Sequence, residues 1–279
     1  MIAMRSAILD YFGALVAEDD GLPLTETALS LAQDAYTSID LQRILTDIDE
    51  LAERLKRAVP PDSDVCEKIG ALNHFFFHEL GFGCNLNDYY DPDNSYLNIV
   101  LERRRGIPIS LAVLYMEIGE QMGLKICGVS FPGHFLLRIP LLVGDVILDP
   151  TTGQSLSEAQ MIEMLEPYLI HSEEPLDSAL HRLLRPAMPR EIVARMLHNL
   201  KAVYWQEQQW TQLLAVQERL VILLPERIEE IRDRGLVYAQ LDCVRFALHD
   251  LEDYLTHCPD ADDAMQIQSQ MQELRQRMH

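Results

Sequence analysis

"FPGHFLLRIPLLVGDVILDP", residues 131–150, decides the fold. Two short aliphatic runs, "HFLLRI" (134–139) and "DVILD" (145–149), flank the connection "PLLVG". Runs of this length and composition read as strands, and so short a connection makes them an antiparallel pair. "KICGVSF" (125–131) supplies a third strand just upstream. In an antiparallel pair the start of one strand lies beside the end of the other. His134 opens the first run and Asp149 closes the second, so the pairing predicts them as neighbours. A carboxylate beside an imidazole fixes its tautomer and stabilises its charged form.

The preceding stretch, "GIPISLAVLYMEIGEQMGL" (106–124), reads as a helix with Pro108 at its start and Gly123 at its end. Apolar residues cover nearly every side of it, so it is predicted to be buried against the sheet. The residue at its N-terminus that would face the His134–Asp149 pair is Ser110. Its alternative role is to cap the helix.

Further upstream, "NDYYDPDNSYLNIVLERRRG" (87–106) reads as a turn followed by a helix that ends before Gly106, with Ser95 or Asn94 as its N-cap. Its spaced acids lack the glycine and terminal glutamate of a calcium loop. "VCEKIGALNHFFFHELGF" (65–82) is helical and puts His74 and His78 on one face. That spacing can hold a metal, but the HExxH order and a third ligand are missing, so no metal is assigned. "LQRILTDIDELAERLKRAV" (41–59) is an amphipathic helix stopped by Pro60 and Pro61. The opening "MIAMRSAILDYFGALVAEDD" (1–20) is read as a helix rather than a secretion signal, because Asp10 interrupts its apolar run.

Downstream, "SLSEAQMIEML" (155–165) restarts helix with Ser157 and Gln160 spaced as a capping box. From Met188 the chain is helical and repeats itself. Pro225 and Pro259, Tyr204 and Tyr238, Leu214 and Leu248, and Glu218 and Glu252 are each 34 residues apart. That is the period of the tetratricopeptide repeat (TPR). Gly235 and Ala247 supply the small residues that close helix contact needs, where the first repeat has Lys201 and Leu213. "ADDAMQIQSQMQELRQRM" (261–278) is expected to cap the stack.

The chain has 279 residues and a formal charge of −21. Residues 1–180 carry −18 of it and residues 181–279 only −3. Such a surface excludes nucleic acid, whose affinity comes from neutralising phosphates, and an anionic membrane surface. A basic protein or peptide partner is the complement. The one basic cluster in the acidic part is "ERRRG", Glu102 to Gly106, whose cations suit a helix C-terminus and could also meet a partner. The five cysteines are scattered without CxxC spacing and read as reduced thiols of a cytoplasmic protein. Cys84, in "GFGCN", would join the site only if the fold carried it near His134. No apolar run reaches the length of a membrane span, and no cofactor is implied.

The motifs from Gly106 to Asp149 resemble the core of the transglutaminase-like superfamily, with its papain-like Cys-His-Asp triad. There a nucleophilic Cys opens a buried helix, a His begins a strand and an Asp ends the next strand before Pro. The matching positions here are Ser110, His134 and Asp149-Pro150. More narrowly, "YYDPDNSYLNIVLERRRGIPISLAVLY", "PGHFLLR" and "LDPTTG", followed by TPR-like helices, resemble the SirB-type bacterial family, from about residue 30 to the end. The resemblance implies an α+β fold: a helix-rich papain/transglutaminase-like domain with a small antiparallel sheet (1–186), then an all-α TPR-like region (187–279).

Ser110 departs from the superfamily. A helix N-terminus and a histidine readily ionise a thiol, whereas a serine hydroxyl needs a base and oxyanion donors already in place. Two functions are therefore expected. One is a regulatory or scaffolding protein with a degenerate triad, binding a partner through its TPR-like helices. The alternative is an acyl-transfer enzyme in which Ser110 attacks, His134 is general base and then acid, and Asp149 orients it.

Overall fold

In a computed structural model the described residues are 2–169 and 175–277. Met1 and Met278, at the ends of the expected first helix and capping segment, lie outside them. The fold is α+β, with thirteen α-helices and two small sheets among the described residues. The chain divides into two compact units: residues 22–32 and 38–196, and residues 1–21, 33–37 and 197–279.

The first of these units is built around α6, Pro108–Gln121. Ile109, Leu111, Ala112, Val113, Leu114, Tyr115 and Ile118 of this helix are all buried. They point in every direction, so the helix is wrapped on all sides, as its sequence requires. Gly123 follows in the left-handed conformation (φ 75°) and ends it. Around it stand α2 (Leu24–Ser30), α3 (Leu41–Ala58), α4 (Val65–Asn73) and α5 (Leu97–Arg103). The helix α3 starts at an Asp40 cap that accepts from the Arg43 N–H at 3.1 Å. A π-helical turn, His74–Glu79, continues α4 and buries Phe75 and Phe76. Two-residue strands β1 (Gly83–Cys84) and β2 (Arg105–Gly106) pair in parallel, with Cys84 opposite Gly106.

The expected three-stranded antiparallel sheet is present as β3 (Cys127–Val129), β4 (Leu136–Leu141) and β5 (Gly144–Leu148), in that order. One face of it packs with α7 (Glu158–Leu165) and α8 (Leu176–Leu183) in a core of Val129, Phe131, Leu136, Ile147, Met161, Leu165 and Leu180. Ser157 and Gln160 close the predicted capping box of α7.

The connection "PLLVG" is shorter than expected, since β4 runs through Leu141 and β5 starts at Gly144, and the expected start of α5 also fails. Neither Ser95 nor Asn94 caps α5, whose N-cap is Tyr96 with no side-chain bond. The segment Pro92–Ser95 is instead a 3-10 turn, capped by Asp91, whose carboxylate accepts from the Asp93 N–H at 3.0 Å. Proline after an Asp cap pre-sets that turn, and the Asn94 amide is used elsewhere, donating to the carbonyls of Asp88 and Tyr89.

In the second unit the repeat is visible in the helix boundaries. The helices are α9 (Pro189–Gln206), α10 (Trp210–Leu223), α11 (Ile228–Gln240), α12 (Val244–His257) and α13 (Ala264–Gln276), α9 entering from the first unit's stretch of chain. The turns between α9 and α10 and between α11 and α12 each place one non-glycine residue in the left-handed region, Gln208 and Asp242. Gly235 lies where a Cβ would come within 3.0 Å of Leu251, and Ala247 is fully buried. The helix α13 covers α12 with Ile267, Met271 and Leu274. At the other end, α1 (Ile2–Leu15) packs on α10, with Gly13 against Ile222 and Phe12 beneath the Arg219 guanidinium. Arg219 is buried and pairs with Asp34.

Candidate functional site

Ser110 is the third residue of α6 and is fully buried. Its oxygen accepts from the Ile107 N–H at 3.1 Å, the return half of a capping box. Its single proton is directed at the Asn94 carbonyl, 2.6 Å away, with the Ile107 carbonyl at 2.9 Å. A Cβ at Gly106 would sit 2.6 Å from this oxygen, so glycine at that position leaves room for the serine. The hydroxyl thus ties the start of α6 to the turn before α5.

His134 stands at the exposed end of the sheet, just before β4 rather than within it. Phe131-Pro132-Gly133 turns the chain there: Gly133 has φ 68°, and the His134 N–H bonds the Phe131 carbonyl at 3.0 Å. The space a Cβ of residue 133 would need is filled by Tyr168. Asp149 directly follows β5. The last paired residues are Leu137 and Leu148, so Asp149 comes opposite Leu136, two residues on from His134 at the same end of the sheet.

The Asp149 carboxylate is half-buried and accepts from the Thr151 N–H at 2.8 Å and the Thr151 hydroxyl at 2.7 Å. This is an Asx turn, and Asp149 also receives the Gly153 N–H on its own carbonyl at 2.8 Å. Asn73 holds the far side of the loop: it donates to the Gly153 carbonyl at 3.1 Å and accepts from the buried Tyr115 hydroxyl at 2.8 Å. Burial pushes the Tyr115 phenol well above its ordinary range, which keeps it a neutral donor.

Cys84 is the thiol that the fold carries to this region. Burial first, and the negative charge of Asp149 second, raise its pKa. Tyr89 is raised by burial and by Cys84, with Arg195 opposing. Arg195, on α9, is lowered by burial while Tyr89 and Tyr168 pull the other way. Its guanidinium donates to the Ser130 hydroxyl at 2.8 Å and the Phe131 carbonyl at 3.1 Å. The sheet end therefore gathers Cys84, Tyr89, Asp149, Tyr168 and Arg195 from five separate stretches. Tyr89, Tyr168 and Arg195 carried no sequence signal for this site, since none stands at a recognisable spacing from the others. His74 and His78 share a face with ring centroids 5.5 Å apart, and no group of three or more metal-ligating side chains occurs among the described residues.

The helical repeats present a second concave feature. Between α9, α11 and α13 runs a groove of about 650 Å³ with Trp205, Leu236 and Ile267 among its apolar walls. Its polar wall is a chain of ion pairs: Lys201 reaches Glu230 and Asp233 at 2.7 Å each, and Arg232 reaches Asp233 at 2.8 Å and Asp263 at 2.7 Å. Burial alone would raise the Glu230 pKa, but hydrogen bonds from His198, Lys201 and Gln217 prevail and hold it down to about 2. Trp205 remains 46% exposed at the groove.

Residues 42–198 match the family model described as the transglutaminase-like superfamily, and residues 200–272 match the tetratricopeptide repeat. A UPF0162 protein of Xylella fastidiosa is 39% identical over 258 residues, 92% of each chain. UPF0162 protein YchA of Escherichia coli K12 is 29% identical over 250 residues, 89% of this chain and 91% of that one. Protein SirB1 of Salmonella typhimurium is 28% identical over 255 residues, 91% and 93% of the two chains. No solved structure matches, and among the described residues no helix is long and apolar enough to cross a membrane. A buried helix laid on an antiparallel sheet, followed by helices that repeat every 34 residues, matches what these sequence likenesses show: the chain has a tetratricopeptide region at residues 200–272 and belongs to the transglutaminase-like superfamily, among the UPF0162/SirB1 proteins.

Proposed function

We propose that this protein is a regulatory or scaffolding protein that binds a protein partner, with the groove of its tetratricopeptide helices as the docking surface and the transglutaminase-like domain retained as a non-catalytic platform. The carrying observation is the groove itself: an exposed tryptophan beside Leu236 and Ile267, walled by fixed charges. Grooves of this shape take a helix or an extended segment, and aromatic anchors supply most of the binding energy at such surfaces. The acidic stretch 1–180, which carries −18 of the formal charge of −21, favours a partner that is basic where it meets that stretch.

The Ser110 hydrogen bonds support the non-catalytic half of the reading. A serine nucleophile needs its proton directed at a base, whereas this proton is directed at backbone carbonyls. The test places a photo-crosslinking residue at Trp205 in the full chain, with the exposed Phe246 of α12 as control position. The expected result is a discrete protein adduct from position 205, lost when Leu236→Asp is added and absent at 246. Equal adducts at both positions, or none at 205, overturn the reading.

The end of the sheet supports a second reading, acyl transfer at an inherited site, because His134 and Asp149 share that end. Ser110, His134 and Asp149 remain its proposed nucleophile, base and orienting acid. Its test is intact mass after a fluorophosphonate probe, with Ser110→Ala as control. A Ser110-dependent adduct would put the enzyme reading first.

A further inference from the structure

A cleft of about 660 Å³ lies between α3 and α5, and it shares no lining residue with the repeat groove. Its floor includes Ile44, Leu51 and Leu101, and three guanidiniums line it: Arg54, Arg57 and Arg104. They are notable in a stretch of chain that carries most of the negative charge.

Arg104 concentrates several costs in one residue. It sits at the C-cap of α5 with φ 57°, a left-handed conformation that helix ends usually give to glycine. Its guanidinium lies 4.7 Å over the Phe82 ring, and its Nη1 is shut off from water with no hydrogen-bond partner among the described residues. Burial lowers its pKa, and the next contribution, from Arg54, lowers it further. Arg54 is stacked in the same way, 4.7 Å over Phe75, and holds Glu79 at 3.3 Å through a half-exposed pair. The acidic side chains of the cleft, Asp47, Glu50 and Glu102, are all exposed.

Strain, desolvation and like-charge repulsion on one side chain are the marks of a group arranged for something other than stability. An anion beside the two guanidiniums would relieve the repulsion and give Arg104 a charged partner of the kind Arg54 has in Glu79. The three exposed carboxylates disfavour a doubly charged phosphate, and the aliphatic floor favours a ligand with an apolar body. We infer that the α3–α5 cleft binds a carboxylate attached to an apolar group, with Arg104 and Arg54 as its cationic end. The source is either a small apolar acid or the C-terminus of a polypeptide ending in an apolar residue.

The test is thermal unfolding of the full chain at low ionic strength with hexanoate, its neutral isostere hexanamide, and chloride matched for ionic strength. Hexanoate at about ten times its Kd should raise the midpoint by about 2–4 °C, and the other two should not. Acetyl-Ala-Leu-Phe with a free C-terminus, against the same peptide amidated, separates the two sources: a larger rise per mole than hexanoate assigns the cleft to chain termini, and a smaller one to small acids. Arg104→Gly relieves the left-handed strain, so it should unfold no lower than wild type without ligand and lose the response to hexanoate. Arg104→Asn, which also tolerates the conformation, and Arg54→Gln should weaken the response. The inference is overturned if wild type shows no carboxylate-specific rise, or if the Arg104 variants keep it. In the event that the Arg104 variants do not fold, the arginine side-chain N–H resonances of wild type decide: shifts on adding hexanoate but not hexanamide support the site, and unmoved resonances refute it.

Discussion

Ser110 and Asn94, sixteen residues apart, are joined by a 2.6 Å hydrogen bond from the serine hydroxyl to the asparagine carbonyl. The bond locks the turn before α5 to the first turn of α6. Ser110→Ala removes the hydroxyl from that carbonyl and from the Ile107 N–H, but the Ile107 N–H still donates to the Asn94 carbonyl at 3.3 Å. The expected loss is about 0.5–1.5 kcal/mol, read from urea unfolding. With the fluorophosphonate probe, wild type is expected to gain no mass at this position.

Glu230 makes stability depend on acid. Its folded pKa is held down to about 2 against an ordinary 4.5, so the unfolded chain binds the proton more tightly. Its contribution is therefore whole above about pH 4.5 and is lost as pH falls toward 2. Urea midpoints of wild type should decline across that window more steeply than those of Glu230→Gln. Parallel profiles would contradict the assignment.

Cys84 should behave as a reluctant thiol. Burial and the Asp149 carboxylate both raise its pKa, so its alkylation by iodoacetamide should be slow at neutral pH and climb steeply in alkali. Asp149→Asn keeps an acceptor for Thr151 but removes the charge. It should move the alkylation profile of Cys84 to lower pH, as followed by peptide mass spectrometry, and an unmoved profile would mean the two groups do not sense each other.

Gly153 and Gly21 both have positive φ, 71° and 78°, but only the first is crowded. A Cβ on Gly153 would come within 2.5 Å of the Phe77 ring and 2.7 Å of the Asn73 amide oxygen, whereas nothing lies within 4 Å of one on Gly21. Gly21→Ala should cost about 1 kcal/mol for the backbone conformation alone. Gly153→Ala should cost about 1–3 kcal/mol more, because the loop that carries Asp149 must shift. Equal losses in thermal unfolding would show that the loop yields freely.

Much of this architecture can be read along the chain, wherever a local pattern repeats. The aliphatic run of α6, the hairpin of β4 and β5, and the box of Ser157 and Gln160 each rest on neighbours in sequence. The 34-residue offsets of Tyr204 with Tyr238 and Pro225 with Pro259 anticipate the helix pairs because every repeat makes the same turn. His134 illustrates the limit. Its run looks like strand from the first residue, yet the left-handed Gly133 delays β4 to Leu136. Cys84 lies in a two-residue strand, too short for any period to show, and its nearness to Asp149 is a product of the parallel pairing with Gly106. Asp91 displaced the expected caps of α5 because one proline gave the preceding turn its own helical start.

The partnership of α1 with α10 also sets a schedule. Asp34 must wait for Arg219, 185 residues later, and Phe12 for the same guanidinium. At a synthesis rate of about 5–20 residues per second, that interval is about 10–40 s. Through it the apolar side of the first helix emerges from the ribosome before its resting place exists. A chain stopped short of α10 lacks Arg219, the partner of both Phe12 and Asp34, and is expected to leave that side of α1 uncovered.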